Sequence, residues 1–486
     1  MISEEKKCIY YSDYGAVGDG ITNDFAAIKL THEAANTKKL PVSADKDAKY
    51  FIGGDDLEVL IKTDTNWANA QFIIDDRSVK NPNRQIFKVV SNVEEKVITS
   101  INKIDKFQEK LPLEFDFDSF VVVKDSTTIR HIREGVNADE GFFQTDLFLM
   151  DREGVVDKKT PIVWDFENIT EMLIFPVEKD VLTIKGGVFT TIANDAAGEE
   201  LVYYKRGIGI CRSNVEVVGI THYVTDELDN GAPYGGFLCI SNCANVLVRN
   251  CKFSAHKVVK AGSYDLLVTC ALNITYENCQ QLNDISDVNL WGIFGSNYTK
   301  NLVFDQVYFS RFDAHKGTLN GVIRNSVIGY MGVLLIGWGH FLIENSKIYS
   351  SSLVCLRPDY GSTWEGKITI KNCDFYPQLR RCEINKDPVL IDGYYSGNHN
   401  FGYVCFMPEV IEIDGLVIHD EFLPEEFRGL RLFANFNEEF TADHYRPKYP
   451  YHITKEVVIK DLVIASGKSL TISKNEQMFK NVQISR

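Results

Sequence analysis

The chain has no apolar run approaching the roughly 18 residues of a membrane-spanning helix, and it has no surplus of positive charge. Its formal net charge is −15 at pH 7, from 52 Lys and Arg against 67 Asp and Glu. Nucleic acids and anionic membranes are held mainly through clustered Lys and Arg, so neither is expected as a partner, and only a local basic pocket stays open. Cysteine pairs with zinc-finger spacing are missing too. Cys8, Cys211, Cys239, Cys243, Cys270, Cys355, Cys382 and Cys405 are scattered too widely for a closed metal cluster, so no metal ligand and no cofactor is expected. The first residues, MISEEKKCIYYSDYG, lack an apolar stretch after their charges and do not read as a signal peptide. The compartment stays open: the thiol pattern suits cytoplasm, and a secreted chain that had lost its signal would read the same.

What the sequence does contain is an internal repeat. An aliphatic run, then Asn-Cys or Asn-Ser, then a hydrophobic residue two places on, recurs as NVLVRNCKF (245–253), NITYENCQQL (273–282) and NLVFDQVYF (301–309). It returns as NGVIRNSVI (320–328), HFLIENSKI (340–348) and KITIKNCDF (367–375). The central amides form one column, Asn250, Asn278, Gln306, Asn325, Asn345 and Asn372, at spacings of 28, 28, 19, 20 and 27 residues. A constant phrase at unequal spacing means a fixed strand joined by loops of varying length. Each phrase alternates with period 2 and is too short to bury its own apolar face, so stacked neighbours must supply the core. With strands as the repeated unit and no helical pattern between them, the expected architecture is a parallel β-helix, its coils about 4.7–4.9 Å apart. Asn suits such a column because it tolerates unusual turn angles and its amide can bond to the coils above and below. Cys251, Cys279 and Cys373 each follow a column amide, and read as small buried thiols rather than disulfides.

Near the N-terminus, Asp13-Tyr14-Gly15-Ala16-Val17-Gly18-Asp19-Gly20-Ile21-Thr22-Asn23-Asp24 is glycine-rich turn chemistry leading into a helix. Thr22 or Asn23 is the expected cap, and Phe25, Ile28, Leu30 and Ala34 the apolar stripe. No Lys-Ser/Thr ending follows, which sets it apart from a phosphate-binding loop. DYGAVGDGITNDFAAI, together with the NCxF-type phrases, resembles the pectate-lyase-like superfamily of polygalacturonases, related glycoside hydrolases, polysaccharide lyases and phage tailspikes. The resemblance spans roughly residues 8–30 and 180–465. It implies an all-β fold, a single-stranded right-handed parallel β-helix with an N-terminal capping helix, and leaves a homotrimer open. Polygalacturonases carry Asn-Thr-Asp, Asp-Asp, Gly-His-Gly and Arg-Ile-Lys motifs on successive coils. Here Gly54-Asp55-Asp56 comes too early and Gly337-Trp338-Gly339-His340 is a loose echo.

The expected organisation is a cap and first coil over 1–40, early coils with insertions over 41–180, and a regular stack over 181–486. A small β subdomain between about 80 and 165 and a long insertion near 420–451 interrupt it.

Equivalent positions on successive coils lie side by side, so the column doubles as a ruler. His256 and Asp284 fall six places past their amides, and Arg311 and Asp313 five and seven past Gln306. These four are therefore expected within one or two coil spacings, roughly 5–10 Å. His315 and Tyr330 should lie close by, with Arg357, Asp359, Tyr360 and Trp364 bordering the same groove and Trp291 and Trp338 flanking it as platforms for sugar rings. Asp284 and Asp313 then suit glycoside hydrolysis as acid and base or nucleophile, with His256 or His315 tuning a carboxylate and Arg311 or Arg357 binding an acidic sugar. The expected partner is an oligo- or polysaccharide. A lyase would instead draw on Arg357, Tyr360, His315 and Lys257, and its calcium-dependent form on Asp284, Asp287 and Asp313. A non-catalytic adhesin could use the same groove. Each residue also has a plainer reading: turn caps for the aspartates, satisfied core groups for the histidines, outer-face packing for the indoles, and an Arg357–Asp359 pair.

Overall fold

The computed structural model describes residues 7–135, 140–196, 202–259, 261–379 and 388–485, and Cys382 lies outside the described residues. Parallel strands stack coil on coil into one sheet system of 28 strands. Each coil has three faces. The first runs through residues 238–241, 266–269 and 294–297. The second repeats from 246–249 through 274–277, 302–305, 321–324, 341–344, 368–371 and 411–414 to 457–460. The third is short, through Phe253, Gln281, Phe309, Ile328, Ile348, Phe375, Ile418 and Ile464 or their paired neighbours.

The period-2 pattern explains this packing, since alternate residues point inward and bury Ile274, Leu302, Phe304, Ile323, Phe341 and Ile343 completely. The column amides turn the corner after the second face with left-handed φ, between 48° and 56°, from Asn250 to Asn372. Their side chains form a ladder: Asn278 donates to Asn250 at 2.7 Å, Asn345 to Asn325 and Asn372 to Asn345 at 3.4 Å. Gln306 interrupts it, and Asn325 donates instead to Asp305 at 2.9 Å. A second ladder stands at the opposite corner, where Asn245, Asn273, Asn301 and Asn320 each donate to the preceding member, starting from Asn214, at 2.8–3.0 Å. These residues open the repeat phrases, so their periodicity is as visible in the sequence as that of the first column. The Cys251, Cys279 and Cys373 thiols are buried and donate to carbonyls of the previous coil, Val217, Val248 and Ile343.

Helix α1, Phe25–Lys38, closes the first coils. Asp24 holds the N-cap position, but its carboxylate turns back to the Val17 and Gly18 N–H groups, and it is the Asn23 side chain, one of the two expected caps, that accepts from Phe25 N–H at 3.2 Å. The buried face is also shifted: Phe25, Ile28, Thr31, His32 and Ala35 face the core, and Leu30 is 50% exposed. Tyr11 joins the helix to the coils, bonded to His32 at 2.9 Å and receiving the Trp67 indole N–H at 2.8 Å.

An inserted antiparallel sheet departs from the coil pattern. Its strands β1 (Lys96–Val97), β2 (Asp118–Arg130), β3 (Phe142–Met150) and β4 (Glu171–Val177) are ordered β3-β2-β4-β1. One side has its own core around Val121, Val123, Phe148 and Ile174, and the other packs Phe120 and Leu147 on Ala244 and Leu272 of the helix. A buried ion pair, Lys300 Nζ to Asp146 at 2.7 Å, fixes the sheet at the junction of the first and second faces.

Candidate functional site

The corner between the third and first faces breaks the repeat. Here the loops differ in length and the side chains are charged, aromatic and largely buried. Asp313 ends a strand on this corner, 2% exposed, between two guanidinium groups: Arg311 Nη2 at 2.6 Å and Arg357 Nη1 at 2.8 Å. Arg357 turns its other edge to Asp359, with Nε at 3.1 Å and Nη2 at 2.6 Å. Asp359 also meets Arg133 at 2.8 Å, a residue of the connection between β2 and β3 of the inserted sheet. Burial opposes the charge on Arg357, yet the Asp313 and Asp359 carboxylates outweigh it and hold the guanidinium protonated. His315, on the register position of Asn297, bonds to Asn297 Oδ1 at 2.6 Å and to the Tyr360 hydroxyl at 3.0 Å. Burial, with the neighbouring Arg357 charge, pushes its imidazole well below the usual range, so the ring is neutral. Asp313, His315, Arg311, Arg357, Asp359 and Tyr360 therefore form one constellation.

Two coils earlier the same corner carries a second group. His256 is 1% exposed and stacks on Tyr234 at 4.7 Å. Its Nδ1 bonds to Glu227 at 2.7 Å, and its Nε2 lies 3.4 Å from Asp265. Asp265 also bonds to His222 Nδ1 at 2.8 Å, and His222 Nε2 to Thr191 at 2.9 Å. Burial alone would lower the His256 pKa, but the Glu227 and Asp265 carboxylates raise it to about 9. Between the groups stand Tyr264 and Trp291, side by side, with the Arg311 guanidinium 5.9 and 5.7 Å from their ring centroids.

Several expected members lie elsewhere. Asp284 is exposed, and its Oδ1 caps a turn by accepting from the Ser286 N–H at 2.9 Å and hydroxyl at 2.7 Å, which lowers its pKa. It lines an open recess of about 460 Å³ with Gln280, Gln281, Leu282, Asn283 and Tyr308, and shares no partner with Asp313. The four-residue cluster of His256, Asp284, Arg311 and Asp313 is thus divided among three environments, because loop residues past the third face leave the coil register that the amide column measures. Trp364 is no sugar platform: it is fully buried among Phe341 and the core, its indole donating to Gly339 O at 3.1 Å. Trp338 is half-buried against Trp164, 5.4 Å away. Tyr330 gives its hydroxyl to the Leu290 carbonyl and steadies the loop that carries Trp291. Arg133, His222, Glu227, Asp265 and Asn297 were not singled out by sequence, and only Asn297 had a signal, its place in register with Thr269 and His315. Among the described residues no group of three or more His, Cys, Asp or Glu is placed to hold a metal ion. A larger recess, about 670 Å³, lies at the last coils near Glu409, Lys455 and Lys480 and contains none of these groups.

No family model and no curated protein matches the chain. Solved structures do. The tailspike gp61 of Pseudomonas phage phi297 superposes with a TM-score of 0.55 at 12% identity, over 97% of this chain and 83% of that one. This chain is a right-handed parallel β-helix. The gp54 tailspike of Acinetobacter baumannii phage AP22, solved with A. baumannii capsular saccharide, gives 0.53 at 10% identity, over 98% and 79%. The Streptococcus pneumoniae surface adhesin PfbA aligns over 99% and 93% at 13% identity, with a TM-score of 0.41. The tailspike likenesses make the β-helix right-handed, as the N-terminal motif implied.

Proposed function

We propose that the chain is a carbohydrate-active β-helix that binds an oligo- or polysaccharide along the corner described above and hydrolyses it at the Arg357 centre. The observation that carries this reading is the single guanidinium of Arg357 bridging Asp313 and Asp359. Hydrogen bonding on opposite sides of a guanidinium sets the two carboxyl carbons roughly 8 Å apart, a separation of the order found between the acid and base of an inverting glycosidase, roughly 6.5–9.5 Å, with the guanidinium itself between them. The paired-carboxylate chemistry expected from the sequence thus keeps Asp313 and exchanges Asp284 for Asp359. Asp359 is the more open, its side chain 22% exposed against 2% for Asp313, so it is the one a saccharide meets first. Support from outside the chain is that a tailspike of the same fold was solved with a capsular saccharide. Elimination fits less well because both nitrogens of His315, the natural proton acceptor, are already occupied.

The test is a glycan array followed by mass analysis of products. Hydrolysis adds one water to each cleaved bond, whereas elimination leaves an unsaturated sugar that absorbs in the ultraviolet. Asp359→Asn is expected to lower turnover by at least about a hundredfold with binding retained. Binding without any product would replace this reading with that of an adhesin.

A further inference from the structure

We infer that Arg311, Trp291 and Tyr264 form a subsite for an oxyanion substituent, a carboxylate or a sulfate, on the sugar beside the cleaved bond; this deepens the glycan reading and rests on it for the identity of the ligand. Arg311 is only 3% exposed, yet one of its nitrogens alone is engaged, Nη2 on Asp313. Its Nε and Nη1 are buried without a partner, and so is the indole Nε1 of Trp291. Buried N–H groups are nearly always matched, and three orphans on two touching side chains mark a place where an acceptor is missing.

The surroundings say what kind of acceptor. The Tyr264 and Trp291 rings stand at 89° with centroids 6.4 Å apart, two walls of a corner with the guanidinium facing both. At 5.7–5.9 Å from those centroids the cation is at the outer limit of cation–π contact, so the rings frame it without satisfying it. Gly262 completes the edge: a side chain there would begin 2.7 Å from the Tyr264 hydroxyl and 3.0 Å from the Trp291 Nε1. Within the ion-paired centre, three guanidinium groups (Arg133, Arg311, Arg357) face two carboxylates (Asp313, Asp359), which leaves one positive charge over. Arg357 reaches both carboxylates, whereas Arg311 and Arg133 reach one each and share it with Arg357, so the excess positive charge falls on the two outer guanidinium groups, Arg311 among them. A water would satisfy a donor but leave that charge; an oxyanion satisfies both. Its position next to Asp313 places the anionic sugar against the reaction centre.

The experiment is a titration of the full chain, labelled with ¹⁵N-tryptophan, in which the five indole signals are followed and Trp291 is assigned by its loss in Trp291→Phe. The probes are sodium glucuronate, glucose 6-sulfate and glucose. At least one anion should shift the Trp291 indole, with glucose at the same concentration leaving it in place. Which anion acts decides between carboxylate and sulfate. Arg311→Gln should weaken the response at least about tenfold. Should that variant fail to fold, Trp291→Phe, which keeps the ring and removes the N–H, should lower anion affinity measured by calorimetry about threefold. A Trp291 signal unmoved by both anions, or moved equally by glucose, overturns the subsite, as does an undiminished response in folded Arg311→Gln. If the glycan array is blank while Trp291 answers to anions, the subsite stands and the glycan reading falls. If neutral glycans are bound and cleaved while Trp291 stays unmoved by the anions, the glycan reading stands and the subsite falls.

Discussion

At the two edges of the second face the chain repeats one side chain from coil to coil. Asn245, Asn273, Asn301 and Asn320 on one edge, and Asn250, Asn278, Asn325, Asn345 and Asn372 on the other, are turned by similar left-handed backbones and bonded mainly to their own kind. At the corner between the third and first faces nothing repeats. Glu227, His256, Asp265, Tyr264, Trp291, Arg311 and Asp313 gather there from strands and loops of successive coils, and no side chain recurs from coil to coil. The contrast shows two uses of a solenoid. Identical residues in register make an amide ladder that holds the stack; unlike residues that meet off the register make a cluster of charges and rings that can meet a ligand. The first use favours uniform loops, and the second needs irregular ones to reach over the coil.

Breaking the charged corner should cost most. Arg357→Met leaves Asp313 with one partner and Asp359 with Arg133 alone, and a buried ion pair that loses one member costs about 3–5 kcal/mol. Denaturant unfolding should show that loss, together with loss of turnover. The pH dependence comes next. The folded His256 pKa of about 9 lies above its ordinary 6.5, so its contribution is complete below pH 6.5 and fades as pH rises through 9. Stability should fall by roughly 2 kcal/mol between pH 7 and pH 9, and Glu227→Gln should flatten that slope. On the ladder side, Asn273→Ala removes both its bond to Asn245 and the one it receives from Asn301, at a φ of 53° that alanine resists. About 1–2 kcal/mol is expected, with no change in saccharide binding. The smallest effect belongs to Asp284→Asn, which keeps an acceptor for the Ser286 turn. Stability should move by less than about 0.5 kcal/mol and turnover by less than twofold.

The same contrast explains what could be read from the sequence. Asn250 to Asn372 announced the fold because a ladder needs the same residue at every rung, which leaves a visible column. The ruler then worked only while the chain stayed on the coil. It placed Arg311 and Asp313 together, and Arg357 near them, because all three lie close to strand ends. It failed for Asp284, which sits in a turn of its own beyond Gln281, and for Trp364, whose strand begins facing inward. Arg133 and Glu227 were hidden for another reason: one arrives from the inserted sheet and the other from a loop outside the phrase, so no spacing links them to their partners.

If the irregular corner is the working surface, the saccharide lies along it and leaves the repeating faces bare. Hydrogen exchange with and without a glycan found by the array is the sharpest test. Protection is expected at residues 294–297, 311–316 and 355–360, with the recess of Gln280, Asp284 and Tyr308 unchanged. Protection confined to that recess, or to the last coils near Glu409 and Lys480, would contradict it.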